Sequence, residues 1–207
     1  MQLAHTLGAD DIFVRLVAAA RALAAAGGDD ALVEWRGPAA CSRRHVRPDG
    51  YGIYRHAGQL YGFFLEYDRG TMSARDYRKK FAAYHAYWAS RRFERDYDGF
   101  PTILVVAIND AAEKRIAAVV SAAAVGRPAG LPVLLTSEWR ISGDPTNLHG
   151  LLGPVWREPD AEFHCRRRWG LGAATPLPVQ ELTGRATAQP RVDRSDTKQN
   201  TILHCLR

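Results

Sequence analysis

The stretch from Leu60 to Asp68 constrains this chain more than any other. Leu60-Tyr61-Gly62-Phe63-Phe64-Leu65 is apolar or aromatic at odd and even positions alike, and it closes on Glu66-Tyr67-Asp68. Side chains alternate faces along a strand, so a run that is apolar at both parities belongs to a central strand covered on both sides. Thr102 to Ile108, a continuous Thr-Ile-Leu-Val-Val-Ala-Ile, reads as a second buried strand running parallel to its neighbour.

Around these two strands the periodicity supplies helices. Phe13, Leu16, Val17, Ala20, Leu23 and Ala24 recur at spacings of three and four between Asp10 and Ala26, with Gly27-Gly28 as a stop. Ser73-Ala74-Arg75-Asp76 is a capping-box variant that predicts a long helix to about Asp96, with Tyr77, Phe81, Tyr84 and Trp88 inward. Asp110 is expected to cap a further helix from Ala111 to Ala124. Ala31 to Trp35 and Pro132 to Thr136 read as shorter strands. Val46 to His56 is expected to form a hairpin with Leu60 to Asp68 through the turn Ala57-Gly58-Gln59. Trp139, Leu148, Leu151, Leu152 and Trp156 are expected to cover an edge of the sheet.

The order is therefore α-β-β-β-α-β-α-β, an α/β fold with a mixed sheet flanked by helices. With 207 residues the chain accommodates one full core, expected over residues 1–170. Residues 171–207 are rich in Thr, Pro, Gln, Arg and Asp without period, the profile of a disordered tail.

Composition excludes several classes. No apolar run approaches the ~20 residues of a bilayer span, so no membrane partner is expected. Met1-Gln2-Leu3 leads into a polar stretch without the pattern of a secretory signal, so export is not expected. Cys41, Cys165 and Cys205 form no CxxC pair, so reduced thiols in a cytoplasmic protein are expected. A net charge of +6 favours a polyanionic partner, because each cation set on a phosphate releases a condensed counterion.

The chemistry gathers at the end of the hairpin. Glu66 and Asp68 lie two apart on one strand and so share a face. Pairing through the turn at residues 57–59 brings Asp49, in Arg47-Pro48-Asp49-Gly50, to the same end. Three like charges that close raise one another's pKa unless a cation intervenes, and hard oxygen donors of this kind suit Mg²⁺ or Mn²⁺. Pro-Asp-Gly is equally an ordinary turn sequence, whereas a carboxylate following Phe63-Phe64-Leu65 needs a partner. Lys80 supplies one, since helical geometry turns it inward between Tyr84 and Tyr87 while Lys79 points out. It either positions a nucleophile and stabilises negative charge, or snorkels to solvent along Tyr84. Arg43, Arg44, Arg47 and Arg69, joined by Arg91, Arg92 and Arg166-Arg167-Arg168, are candidates for a DNA-facing rim; charge runs of this kind are also ordinary solvated faces.

Arg47-Pro48-Asp49-Gly50, the string Phe63-Phe64-Leu65-Glu66-Tyr67-Asp68-Arg69-Gly70-Thr71, and Lys80-Phe81 with Tyr84 together resemble the replication-relaxation family of plasmids and other mobile elements. The chain also resembles the PD-(D/E)xK nucleases, whose restriction-endonuclease-like αβββαβ core has the order read above. That resemblance implies a metal held by Asp49 and Glu66, and a DNA phosphodiesterase, endonuclease or nickase, working with DNA and other replication or mobilisation proteins. One departure matters: Asp68 stands where the pattern has lysine. Either Lys80 replaces that lysine from the helix, or cleavage has been lost and a DNA-binding or scaffold module remains.

Overall fold

The computed structural model describes residues 2–164 apart from 128–129, 145–146, 148 and 163; for residues 2–6 it describes the backbone alone. The expected tail over 171–207 and Leu148 lie outside the described residues. Within them, a five-stranded mixed sheet is flanked by helices on both faces.

The strands are β1 (Ala31–Arg36), β2 (Gly50–His56), β3 (Gln59–Asp68), β4 (Thr102–Ala107) and β5 (Val133–Ser137), and they lie in the sheet in that order. β1, β2 and β3 form an antiparallel meander. β4 then runs parallel to β3, and β5 parallel to β4. The run read as buried on both faces is so: every residue of β4 is buried, and β3 is buried from Leu60 to Glu66.

The helices are α1 (Gln2–Ala25), the short α2 (Pro38–Cys41), α3 (Ala74–Ala89), the short α4 (Phe93–Asp96) and α5 (Asp110–Ala124). One face of the sheet builds its core from Tyr51, Phe64, Ile103 and Val105 against Phe81 and Tyr84 of α3 and Ile116 and Val120 of α5. The other face packs Phe63, Leu65, Leu104 and Val106 against Ile12, Leu16 and Ala20 of α1 and against Leu151, Val155 and Trp156.

Several boundaries differ from the sequence reading, each for a physical reason. α1 begins well before Asp10 and carries Gly8 inside it, because a Cβ there would stand 2.0 Å from the Tyr67 ring. β2 starts at Gly50 rather than Val46, since Arg43 and Val46 pair with each other ahead of Pro48. The long helix predicted to Asp96 breaks after Ala89, where Arg91 takes φ 52°, and restarts as α4. Its capping box of Ser73 and Asp76 forms as read. Asn109, not Asp110, caps α5, accepting from the Ala112 amide at 2.9 Å. Asp110 is thereby left to receive Ser137 and Arg140.

The edge of β5 is closed by Arg157, whose backbone exchanges two hydrogen bonds with Leu135 at 2.9 and 3.0 Å. Leu151, Leu152 and Trp156 help cover the adjoining face as expected, but Trp139 stands half exposed in a π-helical turn over Trp139–Gly143.

Candidate functional site

The hairpin places Asp49 one residue before β2, where its amide donates to the Leu65 carbonyl at 2.9 Å. Its carboxylate turns back to accept the Tyr67 amide at 2.8 Å. Asp49 is thus fastened to the strand that carries Glu66 and Asp68, at the junction the register required. Glu66 pairs in register with Val105, and Asp68 with Ala107, so both sit at the carboxyl end of β3 beside a parallel neighbour. Both are buried.

Glu66 is closed from above by α3. The Lys80 ammonium donates to Glu66 Oε2, and the Tyr84 hydroxyl donates to Oε1. Tyr77, Lys80 and Tyr84 are spaced at three and four, so one helix face delivers all three over the sheet. Tyr77 sets its hydroxyl beside the Asp68 carboxylate. One Asp68 oxygen, Oδ1, is buried and has no hydrogen-bond partner among the described residues.

The electrostatics follow from burial with like charge alongside. Burial pushes the Glu66 carboxyl above its ordinary range, against the pull of Lys80 and with the push of Asp49. Burial pulls the Lys80 ammonium down, but Glu66, Asp49 and Asp68 together outweigh it and hold it above the ordinary lysine range. The Tyr77 and Tyr84 hydroxyls are raised by burial first and by the neighbouring carboxylates next, so they act as donors rather than phenolates.

All three sequence-identified carboxylates therefore surround Lys80, whose side chain keeps a quarter of its surface exposed. They do not draw together as tightly as one ion shared by all three would ask. Among the described residues, the three potential ligands whose atoms come within 4.8 Å of one another are Asp29, Asp30 and His56, at the far end of β2. Those groups are engaged in the hairpin itself. Asp29 accepts the Ala57 and Gly58 amides at 2.7 and 2.6 Å, holding a turn in which Ala57 and Gly58 both have positive φ. Asp30 accepts from the Tyr54 hydroxyl and faces His56 Nδ1 at 2.9 Å.

The arginines divide. Arg43 is drawn inward, donating to the Ala40 and Ser42 carbonyls at 2.9 Å, approaching Asp96 at 3.4 Å and lying over the Tyr97 ring. Arg44, Arg47 and Arg69 are exposed.

Sequence reasoning placed Tyr77 and Tyr84 in the core stripe and counted Tyr84 in the family resemblance, without giving either a role at the carboxylates. The signal that marks them as site residues is their offset from Lys80, −3 and +4, on the same helical face. The Asp30, Tyr54 and His56 group had no local signal, because its members meet only through the register that sets Leu32 opposite Tyr54.

The model of the family described as Replication-relaxation matches residues 1–103. Over these residues the chain belongs to the replication-relaxation family. The matched part runs from α1 to the start of β4 and so holds Asp49, Glu66, Asp68, Tyr77, Lys80 and Tyr84. α5 and β5, which complete the sheet and its helical layer, follow the matched residues. No curated protein and no solved structure gives a significant match.

Proposed function

We propose that the cluster beneath α3 is the active centre of a metal-dependent DNA phosphodiesterase, an endonuclease or nickase, serving plasmid or mobile-element replication. One observation carries this reading: Asp68 Oδ1 is buried without a hydrogen-bond partner among the described residues, beside a second buried carboxylate held by a lysine. Such an oxygen is destabilising unless something binds it, by roughly 1–3 kcal/mol or more for a charged group. The fold order and the antiparallel β1–β3 meander with a parallel β4 agree with the αβββαβ core that the PD-(D/E)xK resemblance implies.

The donor set suits a hard cation, with Asp68 and Glu66 as its holders and Asp49 flanking them. Bound there, Mg²⁺ or Mn²⁺ would supply Lewis acidity to a phosphodiester oxygen and acidify a water. The chain's own residues do the rest. Tyr84 fixes Glu66 Oε1, Tyr77 stands beside Asp68, and Lys80 keeps a positive charge where a phosphodiester would gain negative charge. Lys80 in this way takes the place of the lysine that Asp68 displaces from the strand. Arg44, Arg47 and Arg69 contribute positive charge near the substrate, while Arg43 has a structural role.

The test is nicking of supercoiled plasmid with Mg²⁺ by the full chain, against Glu66→Gln and Lys80→Met. Loss in both variants supports the reading; equal nicking by Glu66→Gln ends it.

A second reading is favoured by one observation. The Lys80 ammonium already neutralises Glu66, and the three acids are spaced more widely than a single shared ion asks. On that reading the domain is an inactive DNA-binding or scaffold module. DNA binding that falls with salt, without nicking and indifferent to EDTA and to Asp49→Ala, would select it.

A further inference from the structure

We propose that DNA is gripped along the outer face of the α3–α5 layer, by Arg78 and Lys79 of α3 and Arg115 of α5, across the groove above Asp68. The inference rests on the DNA reading above and adds the surface that engages the polyanion.

Three observations meet there. First, a small cavity opens between the start of α3 and the first half of α5, lined by Asp68, Tyr77, Ala112, Arg115 and Ile116 among others. One end of that lining is a buried carboxylate with an oxygen unpartnered among the described residues, and the other is an exposed guanidinium. Second, the two helices sort their charges. Asp76 is taken up by the Ser73 cap, Glu113 is buried against Arg157, and Asp110 receives Ser137 and Arg140. Arg75, Arg78, Lys79 and Arg115 are exposed. Among the exposed charges of these two helices the cations therefore outnumber the one exposed acid, Asp76, which stands beside Arg75 and Lys79, although the chain as a whole carries only +6. Third, Ala74 and Arg78 are one turn apart on α3, as are Arg115 and Val119 on α5, with Ala74, Arg115 and Val119 lining the cavity. Arg78 and Arg115 thus flank the same groove, at whose buried end Asp68 stands.

A phosphodiester backbone fits this arrangement. Its successive phosphates present planar oxygen pairs to guanidinium forks. A phosphate held between Arg78 and Arg115 stands above the carboxylate cluster, the order in which positioning and chemistry must be stacked. An acidic polypeptide offers the same sign of charge without the regular phosphate spacing.

The experiment measures binding without cleavage. The full chain is titrated in EDTA into a short fluorescein-labelled duplex, and anisotropy is read over a range of salt. The combined reversal Arg78→Glu, Lys79→Glu and Arg115→Glu is expected to weaken binding at least about ten-fold at moderate salt. It should also flatten the log–log salt slope by roughly 2.7, at about 0.9 per phosphate lost. Arg21→Glu, an exposed α1 residue on the opposite face of the sheet, is expected to change the slope by less than about one such step. Circular dichroism and thermal midpoints verify that each variant folds. A triple variant that binds with wild-type affinity and slope overturns the inference and leaves the phosphodiesterase reading standing. A wild type that binds no duplex at low salt overturns both. Polyglutamate that competes as well as duplex at equal charge assigns the face to acidic proteins and overturns the inference.

Discussion

Two buried glutamates on the same face of this molecule are closed in different ways. Glu113, on α5, is fully buried and receives the Nε of Arg157 at 2.7 Å. The Arg157 guanidinium is itself satisfied by the carbonyls of Glu158, Pro159 and Ala161 at 3.2–3.3 Å. Glu66, on β3, is held by a lysine and a tyrosine, with an exposed edge at the lysine and further acids around it. The first arrangement locks the segment after Val155 onto α5 and the β5 edge. The second leaves an ammonium that can exchange partners, beside an Asp68 oxygen with none among the described residues. Arginine closes a charge with fixed, fully used donors, whereas lysine closes it with a mobile point charge. That difference, more than burial, is what sets the Glu113 staple apart from the chemical centre proposed at Glu66.

The comparison can be broken most directly at its structural end. Arg157→Met strands the Glu113 charge and is expected to lower stability by about 3–5 kcal/mol in urea unfolding. Pairing it with Glu113→Leu should recover most of the loss. A single variant as stable as wild type would show that the pair is not a staple.

Next in size is Glu66→Gln, which keeps the shape and the Tyr84 contact. Nicking should fall by roughly 100-fold or more, equivalent to about 2.7 kcal/mol of transition-state stabilisation. Stability should move by no more than about 1.5 kcal/mol. If unfolding shifts as far as in Arg157→Met while nicking persists, Glu66 is structural as well.

A smaller effect of distinctive sign is expected from Asp68→Asn. Replacing a buried, half-unpartnered charge by a neutral amide should leave stability unchanged or raise it by up to about 1 kcal/mol, while nicking falls. Loss of both together would place Asp68 with Glu113 in the structural class.

The smallest effect is the pH dependence of the Lys80 contribution. Lys80 titrates above the ordinary lysine range in the folded chain. Its contribution to stability, read as wild type minus Lys80→Met, is fully present below the ordinary lysine value of about 10.4. It should decline as pH rises through the raised folded value. A Lys80 contribution that stays flat through strongly alkaline pH would contradict the assignment.

Much of the fold and of the candidate site is legible in the order of residues. The doubly apolar runs at Leu60–Leu65 and Thr102–Ile108 require a sheet covered on both faces, and the intervening helices require parallel crossings. The inward turn of Lys80 follows from helical periodicity, and the nearness of Asp49 to Glu66 from hairpin register, because both are local geometric rules applied to fixed spacings. Helix ends are less legible: the break at Ser90–Arg92 and the cap at Asn109 turn on competition between neighbouring polar groups that residue type alone does not rank.

The sequence by itself thus determined the strands, the order of elements and the three acids and one amine that share an end of the sheet, since each depends on periodicity over a few residues. Only the tertiary structure decided which buried charge received which partner. Glu113 meets Arg157 across 44 residues, and Glu66 is shared by Lys80 and Tyr84, while one Asp68 oxygen stays unpaired among the described residues. Those pairings come from how α3 and α5 seat against β3, β4 and β5, and in a desolvated interior a shift of about an ångström or two changes which donor an oxygen accepts.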